Sequence, residues 1–534
     1  MNRNLHSFVL FTLLVMVGMV FSCTRKEIIP DSYIPNTDEA GEQLPVFSTF
    51  FLDANLNKGL TENFYCHVEG NRIDAFCQSL KDVSSLVVSF DTDAWNEVTV
   101  DGVEQLSGRT ANDFNRVVNY TLTSYEGVQH TYEVRIVGGN NVPRFDVWTE
   151  NFVPVNGTGD KSSQKYVRAT FRYSNDPDNG PVEATGKIRV RGNASASPDK
   201  PKKPYKVKFD EKQSLSCFPA NRDWVFLSDN SDKSLMRTAY MQEMSYLVDL
   251  PYPVRYRIVD FYLNNDYRGT YYLTDQIERA NSRVNIEKDG FIIEDDLYAG
   301  EEPVNFSTKY FTFSFKYPDP DDGEIVRGDD NYNFIVNFMK SMENALFSDN
   351  FADPEKGYRK YLDARAFAKY FVLNEVTGNV DPNRYYVLPS RTGKLTMGPE
   401  WDSEWSLGAA HPGPHYAGWD LYANPEDMIT YEFWPHVRYF QWLMKDPYFR
   451  GLVKEEWAAV KPMIPLYEER MHDIADSIFY TQYDNFNRWP IMDQQVSVAM
   501  SALLKLGSWP AHVYYCEDFF RRRVEWFDAY VESL

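Results

Sequence analysis

Asn379-Val380-Asp381-Pro382-Asn383-Arg384 and Gly398-Pro399-Glu400-Trp401-Asp402-Ser403-Glu404 place two acidic clusters on either side of Tyr385-Tyr386-Val387-Leu388, a Ser390-Arg391-Thr392-Gly393 turn and Lys394-Leu395-Thr396-Met397. Two short apolar runs separated by turn residues predict a β-hairpin. A hairpin returns the chain to its starting point, so it carries Asp381 and Asp402 to the same end of the structure. There one carboxylate orients or deprotonates a hydroxyl, while the other, with Asn383 and Glu404, offers oxygen ligands to a hard cation. This is the logic of a phosphoryl-transfer site. Asp-Pro-Asn is also an ordinary turn sequence, so Asp381 has a structural reading as a turn former or helix cap. Asp402 stands beside Trp401 and close to Trp405, surroundings that desolvate a carboxylate and call for a partner or a metal.

Working outward, Lys187 to Arg191, a loop from Gly192 to Ser197, and Tyr205 to Phe209 read as a β-loop-β unit with Lys202 and Lys203 on its return. Small loop residues let backbone amides approach phosphate oxygens, and a lysine there supplies a compact charge. The loop has one glycine and lacks a Gly-x-x-x-x-Gly-Lys pattern, so a solvated basic hairpin is the competing reading. Asp232 and Arg237 open a helix expected over Lys233 to Val248. Asp232 there can cap the helix, with Arg237 as its ion-pair partner.

Taken in order, these segments resemble the spore-coat protein H (CotH) kinase family. The resemblance rests on the Asp381/Asn383 loop, Gly398-Pro399-Glu400-Trp401-Asp402, Arg191-Gly192-Asn193, Lys202-Lys203-Pro204, Asp232-Lys233-Ser234-Leu235-Met236-Arg237, Gly269-Thr270-Tyr271-Tyr272-Leu273 and Leu443-Met444-Lys445-Asp446-Pro447-Tyr448-Phe449. It implies an α+β, atypical protein-kinase-like domain over 144–534 that uses ATP with Mg2+ or Mn2+ and an unidentified protein acceptor. It implies Asp381 as the catalytic residue, Asp402, Asn383 and Glu404 as metal ligands, and Lys203, ahead of Lys202, with Arg237 at the phosphates. Asp275 stands where the family has glutamate and is one methylene shorter, which puts the corresponding ion pair to lysine in doubt.

The 534-residue length predicts more than one domain, and 43% hydrophobic with 16% aromatic residues excludes a mostly disordered chain. A formal net charge of −22 disfavours nucleic acid and anionic headgroups as partners. An apolar run from Phe8 to Phe21 follows Arg3 and ends in Ser22-Cys23, too short for a stable span. It resembles a bacterial lipoprotein signal (1–22), with Cys23 lipidated and residues 23–44 as a tether. The expected location is the cell envelope, anchored through lipid to the outer membrane. The remaining cysteines form no disulfide framework, and Cys217 and Cys516 are expected in the core.

Short alternating runs from Val46 to Val137 predict an all-β sandwich over 45–138, which resembles the immunoglobulin-like domains of exported lipoproteins. The Gly138 to Pro143 junction then leads to a β-rich lobe. Helical periodicity begins near Asp363, with long helices over Trp434 to Met463 and Val513 to Val531. A second reading keeps the kinase-like fold as a non-catalytic surface scaffold binding a glycan or a protein.

Overall fold

A computed structural model describes residues 44–77, 80, 82–138, 142–176, 179–295, 298–379, 383–409, 437–496 and 501–534. The signal segment 1–22, Cys23, the tether up to residue 43 and Asp381 lie outside the described residues.

The alternating N-terminal runs form β1 (Phe47–Leu52), β2 (Phe64–Tyr65), β3 (His67–Glu69), β4 (Arg72–Cys77), β5 (Leu86–Thr92), β6 (Asn96–Val100), β7 (Val103–Glu104), β8 (Ala111–Asn112), β9 (Val118–Ser124) and β10 (Gln129–Gly138). These make a four-stranded sheet in the order β2-β1-β5-β8 and a six-stranded sheet in the order β3-β4-β10-β9-β6-β7. Inward and outward residues alternate along most of these strands, with the register shifted between Phe47 and Thr49 of β1. Val98, Val100, Val118, Tyr120, Leu122, Tyr132 and Val134 of one sheet meet Phe47, Phe50, Leu52 and Val88 of the other in a single core.

Next come β11 (Arg144–Thr149), β12 (Val167–Ser174), β13 (Val182–Val190), β14 (Tyr205–Gln213), β15 (Asn221–Leu227), α1 (Arg237–Leu247), β16 (Tyr256–Leu263) and β17 (Asp266–Asp275). The strands form a closed barrel, β11-β12-β13-β14-β15-β17-β16, shut by parallel pairing of β11 with β16. Phe145, Phe171, Tyr205, Trp224, Phe226 and Phe261 fill its interior, so it is a packed core. Strand β15 is apolar on both faces. Trp224 and Phe226 point into the barrel, while Val225 and Leu227 join the second core with α1. This double burial explains why Trp224-Val225-Phe226-Leu227 shows no alternation.

The remainder contains β18 (Phe291–Asp295), β19 (Asn305–Ser307), β20 (Thr312–Tyr317), α2 (Asp330–Leu346), α3 (Ala364–Thr377), β21 (Arg384–Leu388), β22 (Thr396–Met397), α4 (Val437–Leu443), α5 (Pro447–Val460), α6 (Ile464–Arg488) and α7 (Trp509–Ser533). The expected hairpin is present: Tyr386 pairs with Met397 and Val387 with Thr396, at the edge of a sheet ordered β19-β20-β18-β21-β22.

Several element bounds differ from expectation, each for a local reason. Helix α1 begins at Arg237 because Leu235 has φ +56 and the Asp232 carboxylate draws in the backbone N–H groups of Ser234, Met236 and Arg237. After the barrel, helical structure starts again with α2, well before Asp363. The long helix read from Trp434 is two helices, because Asp446 caps a new start at Pro447 by accepting from Tyr448 N at 3.0 Å. Cys516 is buried, but Cys217 is exposed in a turn with φ +58. Asp275 pairs with Arg255 and Arg283, at 2.9 and 3.2 Å, in place of a lysine. The N-terminal sheets are tied to the helices by Arg72–Glu517 at 3.3 Å and Arg135–Asp476 at 3.2 Å, and Leu44–Leu534 forms one compact unit.

Candidate functional site

The loop between β13 and β14 is built from its own side chains. Gly192 has φ +88, and a Cβ there would lie 2.2 Å from Ser195 Oγ, so only glycine fits. Lys203 Nζ donates to the carbonyls of Ala196 and Ser197 at 3.0 and 2.5 Å, closing the loop on itself. Its neighbour Lys202, in a bend ahead of β14, is turned into the protein instead. Lys202 is 2% exposed and its Nζ has no hydrogen-bond partner, although the Tyr271 ring lies 5.0 Å away. Burial drives this amine down to about 7, against the pull of Asp229, Asp232 and Glu404. The residue turned inward is therefore Lys202, where the sequence ranking put Lys203 first.

Beyond β15, Asp229 is buried with φ +38 and an unpartnered Oδ2. Burial, followed by repulsion from Glu404, raises its carboxyl well above the usual range. Asp232 behaves as a cap: besides the three backbone donors it accepts from Ser234 Oγ at 2.7 Å and pairs with Arg237. Arg237 is 1% exposed. Its Nε donates to Ser406 O at 2.9 Å and its Nη1 donates to Asp232 and to Ser234 Oγ. Its guanidinium is thus committed to α1 and to the 403–407 segment, contrary to the expectation that it faces phosphates.

Helix α3 ends at Gly378, whose left-handed backbone (φ 58) turns the chain toward the acidic stretch. After the hairpin, Asp402 takes φ +59 and stays exposed between buried Trp401 and Ser403. Surrounding protein nonetheless raises its carboxyl, opposed by Arg191 and Lys200 and assisted by Glu294. Arg191 lies over the Trp401 ring at 5.5 Å. Glu404 lies deeper, 8% exposed, with Oε2 accepting from Ser231 N at 3.2 Å. Burial and then the charge of Asp402 push Glu404 up to about 7. Asn383 is half-buried just ahead of β21, where Arg384 and Tyr385 lie opposite Asp295 and Glu294 of β18.

The structure thus gathers Lys202, Glu404 and Asp402 and adds Asp229, Arg191, Lys200 and Glu294, which the sequence reading passed over. Faint signals for the additions existed. Arg191 belongs to the Arg-Gly loop, Asp229 follows the apolar strand ending at Leu227, and Glu294 closes the apolar run Phe291-Ile292-Ile293 within β18. Among the described residues, no three carboxylate, imidazole or thiol groups converge into a metal cage. The donor set fits a smaller demand. A magnesium-class ion bound together with phosphate needs only one or two carboxylates, a demand that the Asp402 and Glu404 side chains could meet. On the outer side of the same loop, Asn193, Ala194 and Ser197 line a groove of about 500 Å3 with Gly159, Tyr298 and Glu301.

No curated protein matches the chain significantly. Among solved structures, a chain from Bacteroides thetaiotaomicron VPI-5482, named provisionally as a glycoside hydrolase, is similar at 16% identity with a TM-score of 0.16. The match covers 35% of this chain and only 53% of that one, and at this score it carries no argument about fold. The family model described as CotH kinase protein matches residues 188–527, more than half of the sequence, spanning the β13–β14 loop, the hairpin and the Asp402 segment, and the chain belongs to that family.

Proposed function

We propose that this protein is an exported lipoprotein, anchored through Cys23 to the outer membrane, whose CotH domain transfers the γ-phosphoryl group of ATP to a protein hydroxyl. The N-terminal sheets form an immunoglobulin-like spacer in this reading. The observation that supports it most is Lys202, a buried amine whose Nζ has no hydrogen-bond partner and which feels the carboxylates of Asp229, Asp232 and Glu404. An unpaired buried charge is costly to keep, and an anion arriving from solvent would compensate it.

The divalent ion, Mg2+ or Mn2+, would neutralise phosphate charge when bound. Asp402 would hold it, with Glu404 and Asn383 as further oxygen donors. Lys202 would meet the phosphates, while Lys203 keeps the loop closed through Ala196 and Ser197. Arg237 would fix the 403–407 segment against α1. Asp381 would orient the acceptor hydroxyl and take its proton.

Calorimetric titration with ATP, in Mg2+ and separately in Mn2+, tests the reading together with radiolabel transfer to the protein and to generic acceptors. Metal-dependent binding followed by transfer is expected. No binding under either ion would overturn it in favour of a surface scaffold.

A further inference from the structure

Among the described residues, the two most exposed large apolar side chains are Tyr125 at 86% and Trp95 at 74%. Both stand at one end of the N-terminal six-stranded sheet, Trp95 leading directly into β6 and Tyr125 directly following β9. The last cross-strand pair between these antiparallel neighbours is Asn96 with Ser124. Trp95 and Tyr125 therefore take the next opposed positions, on chains about 5 Å apart. A single exposed apolar side chain is ordinary, but two aromatic residues side by side in water are not scattered. The face they continue is flat and hydrophilic. Alternation along β6, β9 and β10 turns Val98, Leu122 and Tyr132 into the core and leaves Thr99, Thr121, Thr123, Gln129 and Thr131 on the outer side. There the Thr121 and Thr131 hydroxyls share a hydrogen bond of 2.9 Å, and Gln129 Nε2 donates to Thr123 Oγ1 at 3.3 Å. These bonds fix the side chains while leaving lone pairs on each oxygen. Farther along β10 the same face closes, where Arg135 pairs with Asp476 of α6 at 3.2 Å.

We propose that this end of the sheet binds a neutral oligosaccharide, with Trp95 and Tyr125 as the stacking platform and the Thr121, Thr131 and Gln129 side chains as partners for its hydroxyls. A pyranose ring carries polarised C–H groups on its flat side, which rest on the electron-rich face of an aromatic ring. Its rim carries hydroxyls, which pair with uncharged groups able to donate and accept. The rings and the threonine rows supply both at adjacent places, and at about 3.3 Å per residue Trp95 to Thr99 spans roughly 13 Å, the length of a short sugar chain. Charge and polarity exclude other occupants. Asp93, Glu97 and Glu126 stand exposed around the rings and repel phosphate, sulfate and anionic headgroups. A membrane-inserting or protein-docking surface needs an apolar centre wider than two rings, and the threonine face denies it one. The site lies outside the matched residues 188–527 and is independent of the phosphoryl-transfer reading.

Affinity electrophoresis of the full-length protein through gels holding soluble starch, hydroxyethyl cellulose or galactomannan tests the site. Retardation by at least one of them is expected. Trp95→Ala should weaken binding about tenfold and Tyr125→Ala about threefold or more, while Trp95→Phe, which keeps a ring, should retain most of it. Gln129→Ala should weaken it about threefold. Because these side chains are exposed, each variant should unfold at the wild-type temperature, which separates lost binding from lost structure. No retardation in any of the three gels, or retardation that persists unchanged in the Trp95→Ala/Tyr125→Ala double variant, would overturn the proposal. A Cys23→Ser protein, which has no thiol to lipidate there, supplies the control against vesicles of phosphatidylethanolamine and phosphatidylcholine. It should stay in solution. Sedimentation with the vesicles that is lost in the double variant would overturn the sugar site in favour of a membrane contact.

Discussion

The N-terminal sheets and the cleft treat polar groups in opposite ways. In the sheets each inward position is apolar or satisfied: the Tyr120 hydroxyl accepts from Asn112 Nδ2 at 2.8 Å, and among the described residues no buried side-chain nitrogen or oxygen there lacks a partner. In the cleft, Lys202 Nζ, Asp229 Oδ2, Ser231 Oγ, Gln242 Oε1 and Glu400 Oε2 are all buried without one. A region selected only to fold satisfies its buried polar groups. Unsatisfied ones also occur elsewhere beyond the N-terminal sheets, as at Asp223, Thr396, Gln441 and His512, so the contrast lies between the N-terminal sheets and the CotH region as a whole.

The hardest blow to this contrast would come from the cleft. Asp402→Asn should weaken metal-dependent ATP binding and cut transfer at least about a thousandfold, measured by calorimetry and radiolabel transfer. Retention of full transfer would show that the recess is not the reacting centre.

Damage to the sheets should do the reverse. Leu122→Ala removes a side chain at 0% exposure and should destabilise the N-terminal core by about 2–5 kcal/mol. Denaturant unfolding should register that loss while MgATP affinity at 25 °C stays within twofold.

Within the loop, Lys202→Met should weaken ATP binding about tenfold or more and leave adenosine nearly unaffected, since its charge meets phosphate. Lys203→Ala, which removes only the bonds to Ala196 and Ser197, should cost less than about threefold. The opposite order would restore the reading that Lys203 is the phosphate contact.

The smallest effect concerns pH. Burial pushes the Glu400 carboxyl from an ordinary 4.5 up to about 8. The folded chain therefore binds this proton more tightly than the unfolded chain does, a contribution complete below pH 4.5 and lost as pH rises through 8. Glutamine has no such proton. Glu400→Gln should match wild type near pH 5 and exceed it near pH 9, by on the order of 1 kcal/mol or more, in thermal unfolding. A constant difference across that range would mean that Glu400 is not held neutral.

How far the sequence reached depended on the distance over which each feature is decided. The β-runs of the N-terminal region and the Tyr385 to Met397 hairpin were legible because period-two patterning and turn residues are local. The acidic clusters were legible because their chemistry is carried by residue type. Asp402 stood out through its tryptophan neighbours. The signals failed where long-range contact decides. Barrel closure depends on β11 meeting β16, whose sequences are far apart. The Asp232 turn, with Leu235 at φ +56, delays α1 by local side-chain bonds that compete with the helix.

Residue types and order alone determined that this chain carries two carboxylate clusters, a basic loop and a β-rich N-terminal region, because composition and short-range periodicity are properties of the chain itself. Only the tertiary structure decided which lysine turns inward, that Arg237 is bound to Asp232 and Ser406, and that Glu400 holds the Asn379 and Ser403 segments together. Those outcomes depend on which groups share a buried volume, and burial is set by elements remote in sequence packing against one another.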